Sequence, residues 1–151
     1  MTTDLPPALA ENVGFLLSIS SAKSVALANT ALAPLGLKAR GYTALSLVAA
    51  GDGMSQRDIA EALRMDPSQV VALVDALESK GLVERRPNPS DRRLRSVVAT
   101  AEGRKVRKKA AQVIQDSVTT LLADFSAEER ELLHGLLSRL ATAKVVEPAL
   151  T

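Results

Sequence analysis

Apolar residues recur at helical spacing from Leu9 through Val13, Leu16, Leu17 and Ile19 to Leu27 and Leu32, which predicts a long first helix stopped at Pro34 and Gly36. A second helix is expected over 39–50, with Leu45 and Val48 facing inward and the Gly51-Asp52-Gly53 turn ending it. Two short helices follow, each with a start signal. Ser55 can cap the first, with Asp58 in its first turn. Asp66 can cap the second, with Pro67 at the tolerated first position and Gln69 able to reach back; this helix should run to Lys80 and stop at Gly81. The period then changes. Residues 82–86 and 94–99 read as short strands, and the turn residues of 87–91 between them predict a hairpin. Thr100 can cap a further helix, weakened at its start by Gly103, whose apolar stripe runs from Val106 to about Phe125. Ser126 and Glu129 form a capping box for a last helix with Leu132, Leu133, Leu136, Leu137 and Leu140 on one face.

The two short helices carry apolar positions with the spacing of a helix-turn-helix: Ile59, Ala60, Leu63, Met65, Val70, Leu73, Val74 and Leu77. Burying the last four turns Ser68, Gln69, Val71, Ala72 and Asp75 outward. As a DNA-reading set, Gln69 suits an adenine edge, Val71 and Ala72 suit thymine methyls, and Ser68 beside the helix N-terminus suits a phosphate. Asp75 would be repelled by phosphates, so it should face away from them or orient an arginine. The hairpin reads as a wing. Arg92 and Arg93 stand at its tip and Arg95 follows, placed to enter a minor groove or grip phosphates, and Asp91 should shape the loop by pairing with a neighbouring arginine. The expected architecture is mainly α, in the α+β sense. A winged helix-turn-helix spans 38–103 (helix-turn-helix 55–80, wing 82–99), and long helices at 1–37 and 104–151 flank it.

Composition narrows the chemistry. The chain has 151 residues, of which 46% are hydrophobic, 24% charged and only 2% aromatic, so its core must be aliphatic. With no cysteine and a single histidine, His134, thiolate sites, disulfides and multi-histidine zinc sites are excluded, and no cofactor or metal is expected. No serine–histidine–acid set, glycine-rich phosphate loop or clustered metal ligands point to an enzyme. The N-terminal stretch lacks the basic start of a signal peptide, and the apolar run 13–19 is too short for a membrane span before Lys23 interrupts it; a cytoplasmic protein without a membrane partner is expected. Net charge is only +2, but between Lys80 and Lys109 eleven Lys or Arg face three acids (Glu84, Asp91 and Glu102). That local excess suits a polyanion.

The segment from Ser55 to Lys80, the run Gly81-Leu82-Val83-Glu84-Arg85-Arg86, and above all Asp91-Arg92-Arg93 leading through Val97-Val98-Ala99-Thr100 to Gly103 resemble the MarR (multiple-antibiotic-resistance regulator) family. Its signature is Asp-x-Arg or Asp-Arg-Arg, a strand, then Leu-Thr-x-x-Gly; here Ala99 stands in place of the usual leucine. The resemblance implies a transcriptional repressor in which helices from both termini intertwine into a homodimer. The leucine stripe at 132, 133, 136, 137 and 140, too broad for one winged unit to cover, points the same way. A twofold dimer would bind a palindromic operator in double-stranded DNA. The resemblance also implies a small aromatic or phenolic effector held between the dimer helices and the winged unit. Phe15, Ile19, Lys23, Tyr42 and Leu45 surround that cleft, with Lys23 for a carboxylate and Tyr42 for a polar group. Two other readings stay open: a winged-helix module that binds proteins, and a non-specific DNA-coating protein.

Overall fold

The structure is a computed structural model that describes residues 5–88 and 95–143. The elements are α1 (Pro7–Ala10), α2 (Val13–Leu32), a 3-10 turn (Ala33–Leu35), α3 (Ala39–Ala49), α4 (Gln56–Leu63), α5 (Pro67–Glu78), β1 (Val83–Pro87), β2 (Arg95–Ala99), α6 (Ala101–Leu121) and α7 (Ala127–Thr142). The expected single first helix is in fact two. Asn12 is extended, and its side chain accepts from the Phe15 amide (2.9 Å), so it caps α2 and breaks the chain after α1. Downstream, Gly36 at φ 65° supplies the left-handed stop.

The caps read from the sequence form, with one exception. Ser55 and Asp58 close a reciprocal box, as do Ser126 and Glu129. Asp66 accepts from the Ser68 amide (2.8 Å), but Gln69 does not complete a box there. The α5 helix ends at Glu78 rather than Lys80, because the chain must turn through Gly81 (φ 67°) to enter β1. Likewise α6 ends at Leu121, short of the expected reach to Phe125.

β1 and β2 pair antiparallel from Val83 opposite Ala99 to Pro87 opposite Arg95. Met54 adds a bridge to Val97, with mutual backbone bonds of 3.0 and 2.8 Å, so the segment before α4 lines the free edge of β2. Asn88 donates to Ser96 Oγ (2.9 Å) across the base of the loop.

The core lies within this winged unit: Leu45, Val48, Ile59, Val70, Val74, Val83 and Val97 are essentially without solvent contact. Leu32 from α2 and Ala110 from α6 complete it. Three polar ties join the units. Asn29 Oδ1 accepts from the Ala39 amide (2.8 Å), Arg104 donates to the Ala49 carbonyl (2.9 Å), and Lys80 donates to the Gly36 carbonyl.

The long helices are different. α2 packs on α6, yet Val13 (69% exposed) and Val25 (46%) remain open to solvent. The apolar run that looked too short for a membrane belongs to a 23-residue helical stretch, Val13–Leu35, of mean hydropathy 1.3, long and apolar enough to cross a bilayer by length and composition. Its end is pinned in the protein core at Leu32. No residue of α7 is buried.

Gly103 is not the weakness its helix propensity suggested. A Cβ there would stand 1.9 Å from the Leu82 carbonyl oxygen, so only glycine lets α6 start against the hairpin. Gly103→Ala should therefore destabilise the fold by at least about 2 kcal/mol in urea denaturation, whereas at an open helical site the same change would stabilise. Wild-type stability would mean the two elements are not in contact. A second expectation concerns acid. The side-chain and backbone bonds from Ser68 hold the Asp66 carboxyl below its ordinary pKa of 3.8. A depressed carboxylate stabilises above its unfolded pKa and loses that contribution as pH falls through the folded value. Asp66→Ala should thus lower the denaturation midpoint at neutral pH, and the deficit should vanish in strong acid below pH 3.8. A pH-independent deficit would show that the carboxylate charge is not what caps α5.

Candidate nucleic-acid interface

Two helices joined by a tight turn build the reading element. Arg64 takes a left-handed conformation (φ 49°) at the end of α4, and the Met65 amide returns to the Ala60 carbonyl (2.9 Å). Ala60, nearly buried, is small enough for α5 to cross close to α4. Val70, Val74 and Leu77 then hold α5 on the core. Geometry leaves Ser68, Gln69, Val71, Ala72 and Asp75 exposed on the opposite side, as the period predicted.

These residues are not equivalent. Gln69 is exposed and makes no side-chain hydrogen bond among the described residues, which leaves its amide available to a base edge. Val71 is 42% exposed, a large apolar side chain left in solvent beside Ala72. Ser68 departs from expectation. Its amide and its hydroxyl both donate to Asp66 Oδ1, so its donors are spent on the cap and a carboxylate stands beside it. In this arrangement Ser68 is a poor phosphate ligand.

The basic hairpin also divides. Arg85 Nη2 meets Asp75 Oδ1 at 2.5 Å, Nη1 donates to Glu78, and Nε donates to Gln56 Oε1 (2.8 Å). The Arg85 amide donates to Glu78 Oε1 as well (3.0 Å). Burial disfavours the guanidinium charge, but the bonds to Asp75 and Glu78 outweigh it and raise the pKa above the ordinary arginine value. Asp75 therefore orients an arginine, and that arginine is Arg85. Arg86 pairs with Glu84. The charge run thus overstates the cations free for a polyanion, because Arg85, Arg86 and, at 3.9 Å from Glu102, Lys105 face carboxylates of the same chain. Arg95 is exposed and pairs with no described residue. Asp91, Arg92 and Arg93 lie outside the described residues.

The remaining expected residues scatter. Leu132, Leu136, Leu137 and Leu140 are 44–64% exposed, and Leu133 is half-buried. Of the residues expected around an effector cleft, Phe15, Ile19 and Tyr42 are half-buried and Lys23 is exposed. Leu45 has no exposed surface; it belongs to the core cluster and offers no wall to a ligand. The sequence reading missed Ser46. Its Oγ is the one buried side-chain polar atom among the described residues without a hydrogen-bond partner. It lies one turn from Tyr42, and a small hydroxyl in an apolar helix carries no periodic signal to reveal it. Among the described residues no group of acids and histidines could hold a metal ion.

Comparison with known proteins agrees with this geometry. Residues 35–94 match the MarR family. The chain is 35% identical over 96 residues to the HTH-type transcriptional regulator YdgJ of Bacillus subtilis, covering 64% of this chain and 58% of that one. It is 34% identical over 108 residues to a putative regulatory protein for the hcr operon of Thauera aromatica, covering 72% and 65%. The matched stretches thus span less than two thirds of those relatives. Solved structures align more completely. CouR from Rhodococcus jostii RHA1, bound to p-coumaroyl-CoA, superposes with a TM-score of 0.81 at 36% identity, over 94% of this chain and 100% of that one. A MarR-family transcriptional regulator from Rhodococcus sp. RHA1 gives 0.84 at 34% identity, over 92% and 100%. A mutant MarR from E. coli complexed with operator DNA gives 0.75 at 29% identity, over 85% and 92%. Winged fold, exposed reading helix and these likenesses agree: the chain belongs to the MarR family of transcriptional regulators.

Proposed function

We propose that the protein is a homodimeric repressor that binds an inverted-repeat operator. The observation that carries this reading is the apolar surface that the terminal helices leave exposed beside the helix-turn-helix of α4 and α5. The α2 helix is apolar on more than the side that α6 covers, and α7 exposes four leucines at 44–64%. A helix apolar all round needs cover on both sides, and a second copy of the chain supplies it with twofold symmetry. Two α5 helices would then enter successive major grooves about 34 Å apart. Gln69, Val71 and Ala72 would read bases, while Arg95, with Arg92 and Arg93, would hold the backbone. The E. coli MarR mutant complexed with operator DNA supports this use of the fold.

Effector control belongs to the same reading. CouR is bound to p-coumaroyl-CoA, a phenolic acyl thioester, and Ser46 Oγ beside Tyr42 leaves a buried polar atom for which a ligand could provide the partner. A phenolic acid or its thioester would then release the operator.

Sequencing the random duplexes that the purified protein retains tests the reading. An inverted repeat with half-sites about one helical turn apart is expected. Salt-sensitive retention without an enriched sequence would favour a coating role, and no retention would favour a protein-binding module. Leu136→Lys should yield monomers that bind the selected duplex weakly, and a variant that still sediments as a dimer removes α7 from the interface. Gln69→Ala should relax base preference more than it lowers affinity. Arg95→Ala should instead weaken binding on all sequences and reduce the salt slope by about one for each phosphate no longer neutralised. If the slope does not change, Arg95 is not at the backbone.

A further inference from the structure

Among the described residues Arg85 is the side chain that joins three parts of the reading head. It leaves β1 at the base of the wing and reaches Gln56 at the start of α4 and Asp75 and Glu78 on α5. Its backbone amide also binds Glu78. Val71, Asp75 and Glu78 are spaced four and then three apart, so they share one edge of α5. The joint therefore lies in line with Val71, at the border of the exposed reading face. The side chain of Arg85 is 21% exposed, against 58% for Asp75 and 39% for Glu78. Such a pairing is part-buried, multiply bonded and planar, unlike a loose surface ion pair. By contrast, Arg86 is 63% exposed and meets only its strand neighbour Glu84.

We infer that Arg85 is a positioning residue for DNA recognition: it sets the angle of the wing to α5 and keeps two acids of that helix neutralised, without itself touching DNA. This rests on the DNA-binding reading above. A lysine could not replace it, because one ammonium cannot present the three guanidinium nitrogens to Gln56, Asp75 and Glu78 at once.

The inference gives a sign opposite to simple electrostatics. Asp75→Asn with Glu78→Gln makes the α5 face two charges more positive, which by itself should tighten DNA binding. If Arg85 acts as a joint, the double variant instead weakens binding to the selected duplex, by about tenfold, and blurs base preference, since the wing is no longer held. Arg85→Met should do the same, and Arg85→Lys should not rescue it. Hydrogen exchange on the free protein reads the joint without DNA: backbone amides of residues 83–86 should exchange at least several-fold faster in both variants, while those of α2 and α6 stay unchanged. Tighter DNA binding by the double variant, or unchanged exchange in the hairpin, overturns the proposal. Should the wild-type protein retain no duplex, the DNA reading falls, and the exchange measurement alone decides whether the joint exists.

Discussion

The wing is joined to the helices on either side of it through the backbone of Leu82. Its amide closes the end of α5 on the Leu77 carbonyl (3.0 Å), and its carbonyl accepts from the Thr100 amide (3.1 Å). The Thr100 hydroxyl binds the neighbouring Gly81 carbonyl (2.6 Å) and also caps α6 at Gly103. Four elements therefore meet within a few residues: the end of α5, the start of β1, the end of β2 and the start of α6. A junction this crowded tolerates no side chain at Gly103, and the close-packed interior around it transmits rather than absorbs displacement. The hairpin is tied to the end of α5 here, just before β1, and again at Arg85 within the strand.

Burial is distributed unevenly, and function follows from that. The winged unit has a closed aliphatic core, so its outer face is free to carry residues chosen for contact rather than stability. The terminal helices have the reverse character. They lend only Leu32, Ala110 and a few half-buried neighbours to that core, and otherwise leave apolar side chains in water. On the dimeric reading, the head is rigid by itself and only the spacing of two heads is left to the helices. The hydrogen bonds from Lys80 to Gly36, Arg104 to Ala49 and Ala39 to Asn29 join that region to the winged unit.

Local signals were legible wherever the physics is local. The caps at Ser55, Thr100 and Ser126 need only a hydroxyl three residues ahead of an amide, and the sequence alone places them. The break at Asn12 was hidden because the apolar spacing continues across it, and periodicity does not register a single capping side chain. Gly103 was misjudged for a related reason: propensity scores its missing Cβ as a loss, whereas the Leu82 carbonyl, twenty-one residues away along the chain, makes that absence a requirement.

For the interface, the sequence determined which residues face out. Burial of Val70, Val74 and Leu77 leaves Gln69, Val71 and Ala72 no other side of α5, since 3.6 residues per turn permits only one choice. It also determined that the core would be aliphatic and that no thiol would take part in the chemistry. Only the tertiary structure decided which charges are free. Ser68 turned out to be held by Asp66, Arg85 by Asp75, Glu78 and Gln56, and Arg86 by Glu84, while Arg95 has no partner among the described residues. A charge count along the chain sums residues by position. Pairing depends on distances of a few ångström between elements, and those exist only once the strand has been laid against the helix.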